Sequence, residues 1–330
     1  MHYPHTITVH AGRTGSHLQG IAVDPREGHL YLSFTTCLLK TDLAGNLIGS
    51  VEGIAGHLGC IAWNGHERRI YASLEFKQDA IGSGIFHNLG ISGKDIHDGF
   101  YMARFEVDKI TRPHMDAKSD GVMDAVFLRE VYDDYTAPGH RFGCSGIDGC
   151  TFVDEKNLYV AYGIYDDVQR RDNDNQILLR YDVSAWDALA RPLDQYAMHT
   201  SGPERPEGKF FIYTGNTEYG IQNLEYDAEQ NVMLAAVYPG QKKEFPNYSL
   251  FFIDAARESE GGKMFLTDFA GHDDHRFCGS HFPYGSTGLC ALGGGDYYIG
   301  HDLFDGAERG ARVELWRFDA EELTFEKVEE

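Results

Sequence analysis

Histidines and carboxylates flank apolar runs at intervals along this 330-residue chain. His17 and His57 stand directly before LQGIAVD and in front of LGCIAWN, the same place in two similar segments. Glu75 closes the run RIYASLEF, and Asp148 lies within CSGIDGCTFVD. Two carboxylates across a cleft act as acid and base in glycoside hydrolysis, and their separation sets the stereochemical outcome. His17, His57, Glu75, Asp148 and His140 are therefore the candidate catalytic groups. Neutral imidazoles on separate rigid strands also hold a divalent metal with open positions, where it polarises a substrate oxygen. His17, His57, His140 and His281 are the candidate metal ligands, and a divalent metal ion is the one cofactor suggested.

A second set of residues has the chemistry of substrate binding: Gln19, Lys77, Arg141, Tyr165, Tyr219, Gln222, Tyr238, Tyr284 and His301. Tyr165, Tyr219, Tyr238, Phe282 and Tyr284 offer flat faces suited to sugar rings. Lys77, Arg141 and Arg276 would clamp a carboxylate. A Tyr or His beside such a clamp would abstract the adjacent proton, as a lyase requires. The run HDDH at 272–275 reads as a solvated turn more readily than as a ligand set.

The elements that must position these groups are strands. Tyr, Phe, Val and Ile recur between Gly, Asp and Asn turns, the pattern of short antiparallel hairpins. Residues 17–53 contain four such runs, LQGIAVD, HLYLSF, CLLKTD and LIGSVEG. The unit recurs at about 57–132, 144–215, 219–271 and 285–330. A small residue marks the first strand of each at Gly20, Cys60, Gly149, Asn223 and Gly288. The shortest spacing between these anchors is 40 residues, close to the ~40–45-residue repeat of a four-stranded propeller blade. One twisted sheet cannot bury both faces alone, whereas blades stacked round an axis bury each face on a neighbour. The sequence thus predicts an all-β, five-bladed β-propeller of four-stranded antiparallel blades, a single domain over 1–330. Residues 5–12 (HTITVHAG) close the ring. The segment SAWDALARPL (184–193) predicts one helix, with Ser184 as its N-cap.

The first unit, QGIAVD…LYLSF…LLKTDLAGNLIGSV, resembles the blades of NHL-repeat and SMP-30-like propellers. The resemblance is strong in blade one and loose elsewhere. It implies the fold and carries no catalytic residue over. It adds one functional alternative, a metal-dependent lactonase-like hydrolase, which would need a carboxylate-rich channel.

In a propeller, the loops between blades and between second and third strands share one face. The long insertions fall mostly there, at 77–98, 133–143, 166–175, 239–247, 272–284 and 303–310. Long loops on a rigid scaffold usually hold the site. Every candidate above is a first-strand start, a second-strand end or one of these loops.

Composition sets the outer limits. A net charge of −22 repels phosphate backbones and anionic lipid, so neither nucleic acid nor a membrane surface is an expected partner. No apolar run approaches a membrane span, and MHYPHTITVHAG lacks the features of a signal peptide, so a cytoplasmic location is expected. The six cysteines form no CxxC pair, and Cys60, Cys150 and Cys290 read as buried free thiols. GCSGIDG lacks the last Gly of a nucleophile elbow. GGGDYYIG does not have dinucleotide-loop spacing. These readings converge on a carbohydrate-active enzyme, a glycoside hydrolase or an oligosaccharide or polysaccharide lyase. The expected ligand is a small molecule or oligosaccharide in the channel mouth. The alternative of another class is a non-catalytic propeller that binds a ligand or a protein.

Overall fold

The computed structural model describes residues 2–12, 17–257, 261–267, 278–304, 306 and 308–329. Five antiparallel sheets form five blades. Strand β1 is Thr6–Gly12. Blade one contains β2 (Leu18–Asp24), β3 (His29–Phe34), β4 (Cys37–Asp42) and β5 (Leu47–Glu52). Blade two contains β6 (His57–Asn64), β7 (Arg69–Phe76), β8 (Gly99–Glu106) and β10 (Met123–Phe127), and β9 (Met115–Asp116) adds in parallel to the outer edge of β5. Blade three is β11 (Cys144–Phe152), β12 (Asn157–Ile164), β13 (Asn175–Asp182) and β14 (Gly208–Tyr213). Blade four is β15 (Glu218–Asp227), β16 (Val232–Tyr238), β17 (Leu250–Asp254) and β18 (Gly279–Ser280). Blade five is β19 (Leu289–Gly293), β20 (Asp296–Phe304), β21 (Arg309–Asp319) and β22 (Thr324–Lys327).

Inner strands are apolar on both sides because each blade face is covered. β3 is buried at five consecutive positions, whereas the outermost β1 alternates exposed and buried. The core is accordingly five apolar layers, one per interface between blades. The layer between blades two and three holds Tyr71, Tyr162, Tyr181 and Trp186. The first strands meet at the axis, where at Gly20 there is no room for a side chain. A Cβ on Gly20 would lie 2.9 Å from Ile61 N and 3.0 Å from Cys60 Cα. Asn223 is the polar exception: its Nδ2 donates to Gln19 O (2.8 Å) and Ser286 O (2.9 Å), tying blades one, four and five.

Both termini close the ring. The first half of β21 pairs with β1, from Thr6↔Glu314 to Gly12↔Arg309, and its second half pairs with β22, from Trp316↔Lys327 to Asp319↔Thr324. The N-terminal strand therefore seals blade five, where residues 5–12 were expected.

Several local expectations change. The fourth strand of blade two stops at Phe127, and helix α2 (Arg129–Thr136) takes over residues read as strand to 132, burying Val131 and Tyr135. The segment 77–98 contains helix α1 (Ala80–Leu89), capped by Asp79, whose Oδ1 accepts from Gly82 N, and ended by Gly90 at φ 66°. The helix expected at 184–193 shrinks to α3 (Trp186–Leu189) after a 3-10 turn, and Asp182 rather than Ser184 supplies the cap. In blade four the described part of the run expected as the fourth strand, 263–267, forms only isolated bridges. Leu266 only bridges Ile253, and β18 pairs Leu250 and Phe251 instead. Residues 268–271 of that run lie outside the described residues.

Ring closure rests on the ladder between β1 and β21 and on two buried side chains of β1. Ile7 and Val9 are 2% and 1% exposed against blades one and five. Ile7→Ala is expected to destabilise the protein by about 2–5 kcal/mol in urea unfolding. A loss below about 0.5 kcal/mol, the scale of ordinary surface changes, would show that β1 does not close the ring.

Candidate functional site

A cavity of about 240 Å³ opens on the face that carries the long loops. The first strands enter it through irregular backbone. Pairing shifts at Leu18/Gly20 in β2, at Leu58/Ile61 in β6, at Cys144/Gly146 and Ile147/Cys150 in β11, and at Glu218/Ile221 in β15. Bulges of this kind re-aim side chains at a sheet end. Here they fall at matching heights in four blades and turn Gln19, Asp148 and Gln222 into one space. In β15, Tyr219 and Gly220 both have positive φ, 61° and 74°.

Two buried carboxylates and their neighbours form the floor. Glu75, 5% exposed, accepts from Ile147 N at 3.1 Å through Oε2. Its Oε1 lies 2.5 Å from the Lys77 ammonium, which also donates to Ser145 O at 2.9 Å. Burial raises the Glu75 pKa, while Lys77 and the Ile147 N–H pull the other way. Burial alone would lower Lys77, but the Glu75 and Asp79 carboxylates outweigh it and hold the ammonium charged. Asp148 is 7% exposed, with no cation in hydrogen-bond range among the described residues; Cys60 N donates to its Oδ1 at 3.3 Å. Burial, the Glu75 charge and Cys60 push its pKa well up. Burial thus disfavours ionised Asp148, while the other carboxyl of the pair is held by a lysine.

Space for these carboxyls is cut into the backbone. A Cβ on Gly59 would sit 2.1 Å from Asp148 Oδ1, and one on Gly146 would sit 1.9 Å from Glu75 Oε2. Gly146 has φ 131°. Neither position can carry a side chain without displacing a carboxyl.

His57 completes the floor. Its Nδ1 is buried without a hydrogen-bond partner and lies 4.0 Å from Glu75 Oε1. Burial and the Lys77 charge bring its pKa down to about 3, so the ring is neutral at physiological pH. The rim carries His17, Gln19, Tyr219, Gln222, Tyr238, Ile81 of α1 and Thr287. His17 Nδ1 lies 3.4 Å from Asp302 Oδ2, and Gln19 Nε2 donates to Thr35 Oγ1 at 3.2 Å. Tyr219 is 42% exposed.

Of the candidates read from sequence, His17, Gln19, His57, Glu75, Lys77, Asp148, Tyr219, Gln222 and Tyr238 line this cavity. The others do not join its lining. His140 Nδ1 bonds Tyr135 O at 2.6 Å, and its ring packs between Tyr135 and Tyr165. Arg141 is taken by Asp134 at 2.7 Å. His281 packs on Tyr248, and His301 lies 3.0 Å from Glu314 beneath Tyr284. Phe282 is core, packed against Phe325. His272, Asp273, Asp274, His275 and Arg276 lie outside the described residues. The four-histidine metal set therefore does not converge. Among the described residues no group of three His, Cys, Asp or Glu side chains is arranged to hold a metal ion.

The backbone contributors escape a reading based on side chains. Ile147 N–H, Ser145 O, Gly59 and Gly146 shape the floor, and their one signal is the glycine spacing in GCSGIDGC, which matches no nucleophile elbow.

No protein-family model matches this chain, and no curated protein matches it. Among solved structures it is similar to the crystal structure of a nidogen/laminin complex, with TM-score 0.41, 12% identity, and coverage of 92% of this chain and 76% of that one. A functionally unknown protein from Desulfotomaculum acetoxidans DSM 771 gives TM-score 0.40 at 9% identity, covering 94% and 69%. Hydrazine synthase of Kuenenia stuttgartiensis gives 0.36 at 11%, covering 94% and 65%. Likeness at this level transfers no activity or substrate.

The raised Asp148 pKa has a defined effect on stability. The unfolded chain releases this proton near pH ~3.9, while the folded chain holds it to higher pH. Stability is therefore lost as pH rises above that value, at up to about 1.4 kcal/mol per pH unit. Asp148→Asn removes this slope. Its stability relative to the parent in urea unfolding should improve steadily from pH 4 to pH 7. A difference that stays constant over that range would mean Asp148 ionises normally.

Proposed function

We propose that the protein is a glycoside hydrolase acting on a single small sugar unit, with Asp148 as general acid. One observation carries the reading: a carboxyl whose ionisation burial disfavours, beside a second carboxylate, inside a cavity lined by Gln and Tyr. Pockets for drug-sized ligands run from ~300 to 1,000 Å³. A cavity of about 240 Å³ suits one sugar ring better than an oligosaccharide.

The residues divide the work. Asp148 donates its proton to the glycosidic oxygen as the bond to the anomeric carbon breaks. Glu75 provides the negative charge that stabilises the developing oxocarbenium, and Lys77 positions it. A water then adds to the anomeric carbon, and its proton restores Asp148. Gln19, Gln222 and His57 have the donors and acceptors that read sugar hydroxyls. Tyr219 and Tyr238 present ring faces.

Hydrolysis is preferred over elimination on charge. A lyase needs a free cation against the substrate carboxylate. Lys77 is the sole Lys or Arg among the described lining residues, and Glu75 occupies it at 2.5 Å. Arg141 is bound to Asp134 away from the cavity. The lactonase-like alternative needs a metal, and the donors do not converge on one.

A panel of nitrophenyl monosaccharide glycosides, in both anomeric forms, tests the proposal. Turnover of at least one is expected. Asp148→Asn should lower kcat by roughly 10²–10⁴-fold, the worth of general acid catalysis, with KM little changed. The basic limb of the pH profile should disappear with it. Binding of free monosaccharides without turnover of any glycoside would instead support the non-catalytic reading.

A further inference from the structure

The axis has a second mouth at its other end. A cavity of about 200 Å³ opens there, lined by the far ends of all five first strands and by the N-terminal segment. Four aromatic residues, Tyr3, Trp63, Phe152 and Tyr226, line it, and each keeps part of its surface exposed. Glu225 is the one acidic residue in the lining, and no Lys, Arg or His is among the described residues there. Ala291 N donates to Glu225 Oε1 at 2.8 Å. The rest of the carboxyl meets no cation, although the groove around it is otherwise apolar.

The neighbours of Glu225 carry no positive charge either. They are Asp227 on its own strand, Cys60 on β6, Cys290 on β19 and Tyr297 on β20. Asp227 is engaged by the Tyr297 hydroxyl. Burial, with Cys60 and Asp227, raises the Glu225 pKa to about 8 against the Ala291 N–H. The missing partner of this carboxyl is a cation, and the surrounding rings suit one with an apolar body. Ring faces attract ammonium groups, most strongly for Trp. Trp63 stacks on Tyr31 with ring centres 5.9 Å apart and has the Arg68 guanidinium 6.0 Å from its ring centre, so the cavity meets its remaining exposed surface. The net charge of −22 draws cations to the whole molecule.

We propose that this second mouth binds a small organic cation of the alkylammonium class, with its charge against Glu225 and its methyl groups against the aromatic residues. The site is separate from the proposed hydrolytic cavity and does not depend on it. A cation would favour ionised Glu225, so binding below pH 8 displaces its proton.

Calorimetric titration with choline tests this, with 3,3-dimethylbutan-1-ol as the neutral probe of the same shape. Choline is expected to bind at least tenfold more tightly than the alcohol and to bind more tightly at pH 8.5 than at pH 6.5. Glu225→Gln, checked for an unchanged circular dichroism spectrum and Tm, should weaken choline at least tenfold. Trp63→Leu should also weaken it. Asp148→Asn should leave it unchanged. Equal binding of the two probes, or indifference to Glu225→Gln, overturns the proposal. Loss of choline binding in Asp148→Asn also overturns it, because the cation would then occupy the other mouth. If Glu225→Gln fails to fold, an unchanged affinity in Trp63→Leu serves as the overturning result.

Discussion

The close approach of five first strands at the axis is the constraint on which the rest of the molecule depends. Blades pack as wedges, so their inner edges converge until backbone meets backbone. At Gly20 there is no space for a methyl group between β2 and β6. Ser33 uses the same closeness to donate to Gly59 O at 2.7 Å, from one blade to the next. The waist that results is packed with Cys60, Cys150, Asn223 and glycines, and it divides the axis into two blind mouths. One mouth receives the starts of the first strands, the other their ends. Any group placed just above or below the waist is surrounded by protein on all sides except the mouth itself. Desolvation of such groups follows from the architecture.

That geometry explains why two carboxyls in one cavity behave differently. Asp148 and Glu75 are both almost fully buried and both feel burial as the largest influence. Only Glu75 has an ammonium within contact distance. The first charge in a small cavity raises the cost of a second, so the lysine decides which carboxyl ionises. His57, beside the same ammonium, is kept neutral by it and by burial. Burial is the largest influence on all three groups, and Lys77 acts on each of them. Its own position is fixed by Ser145 O and by the N-terminal residues of the loop that leads into α1.

Much of this was legible in the sequence, and the rest was hidden for physical reasons. Apolar runs separated by turns predict blades, because both faces of each sheet are buried and strand runs become almost continuous. The small anchors at Gly20, Cys60, Gly149, Asn223 and Gly288 mark the waist. Equivalent positions in successive blades bring His17, His57, Glu75 and Asp148 together. Position within a blade could not tell how a side chain leaves the strand. Each one-residue bulge reverses the facing of the residues beyond it, and bulges leave little trace in composition. His140 shows the limit: its loop is correct, but a left-handed residue at φ 54° folds it back onto Tyr135. Blade four's outer strand was misplaced for another reason. A two-residue pairing at Gly279–Ser280 is too short to register as an apolar run, whereas KMFLTDFAG is long enough to mislead.

Buried polar atoms without a partner occur between the blades, as at the Tyr31 and Tyr181 hydroxyls, but the two mouths add buried carboxyls. The five apolar layers contain tightly packed Tyr, Phe, Trp and aliphatic residues, and their buried cations, such as Arg104 with Asp124 and Asp187, are paired. At the axis, among the described residues, Asp148 has no cation in hydrogen-bond range, Glu225 has none among its neighbours, and His57 Nδ1 has no partner. A buried polar group left unsatisfied costs about 1–3 kcal/mol. Core packing gives no reason to retain such groups, since an Asn, a Gln or an apolar residue would be less costly in the empty protein. Sequences that are consistent elsewhere tend to break local rules where function demands it. In this chain the two carboxyls Asp148 and Glu225 each line a mouth of the axis. One mouth sets a buried carboxyl among polar walls, and the other sets a carboxyl among aromatic rings with no cation among the described lining residues.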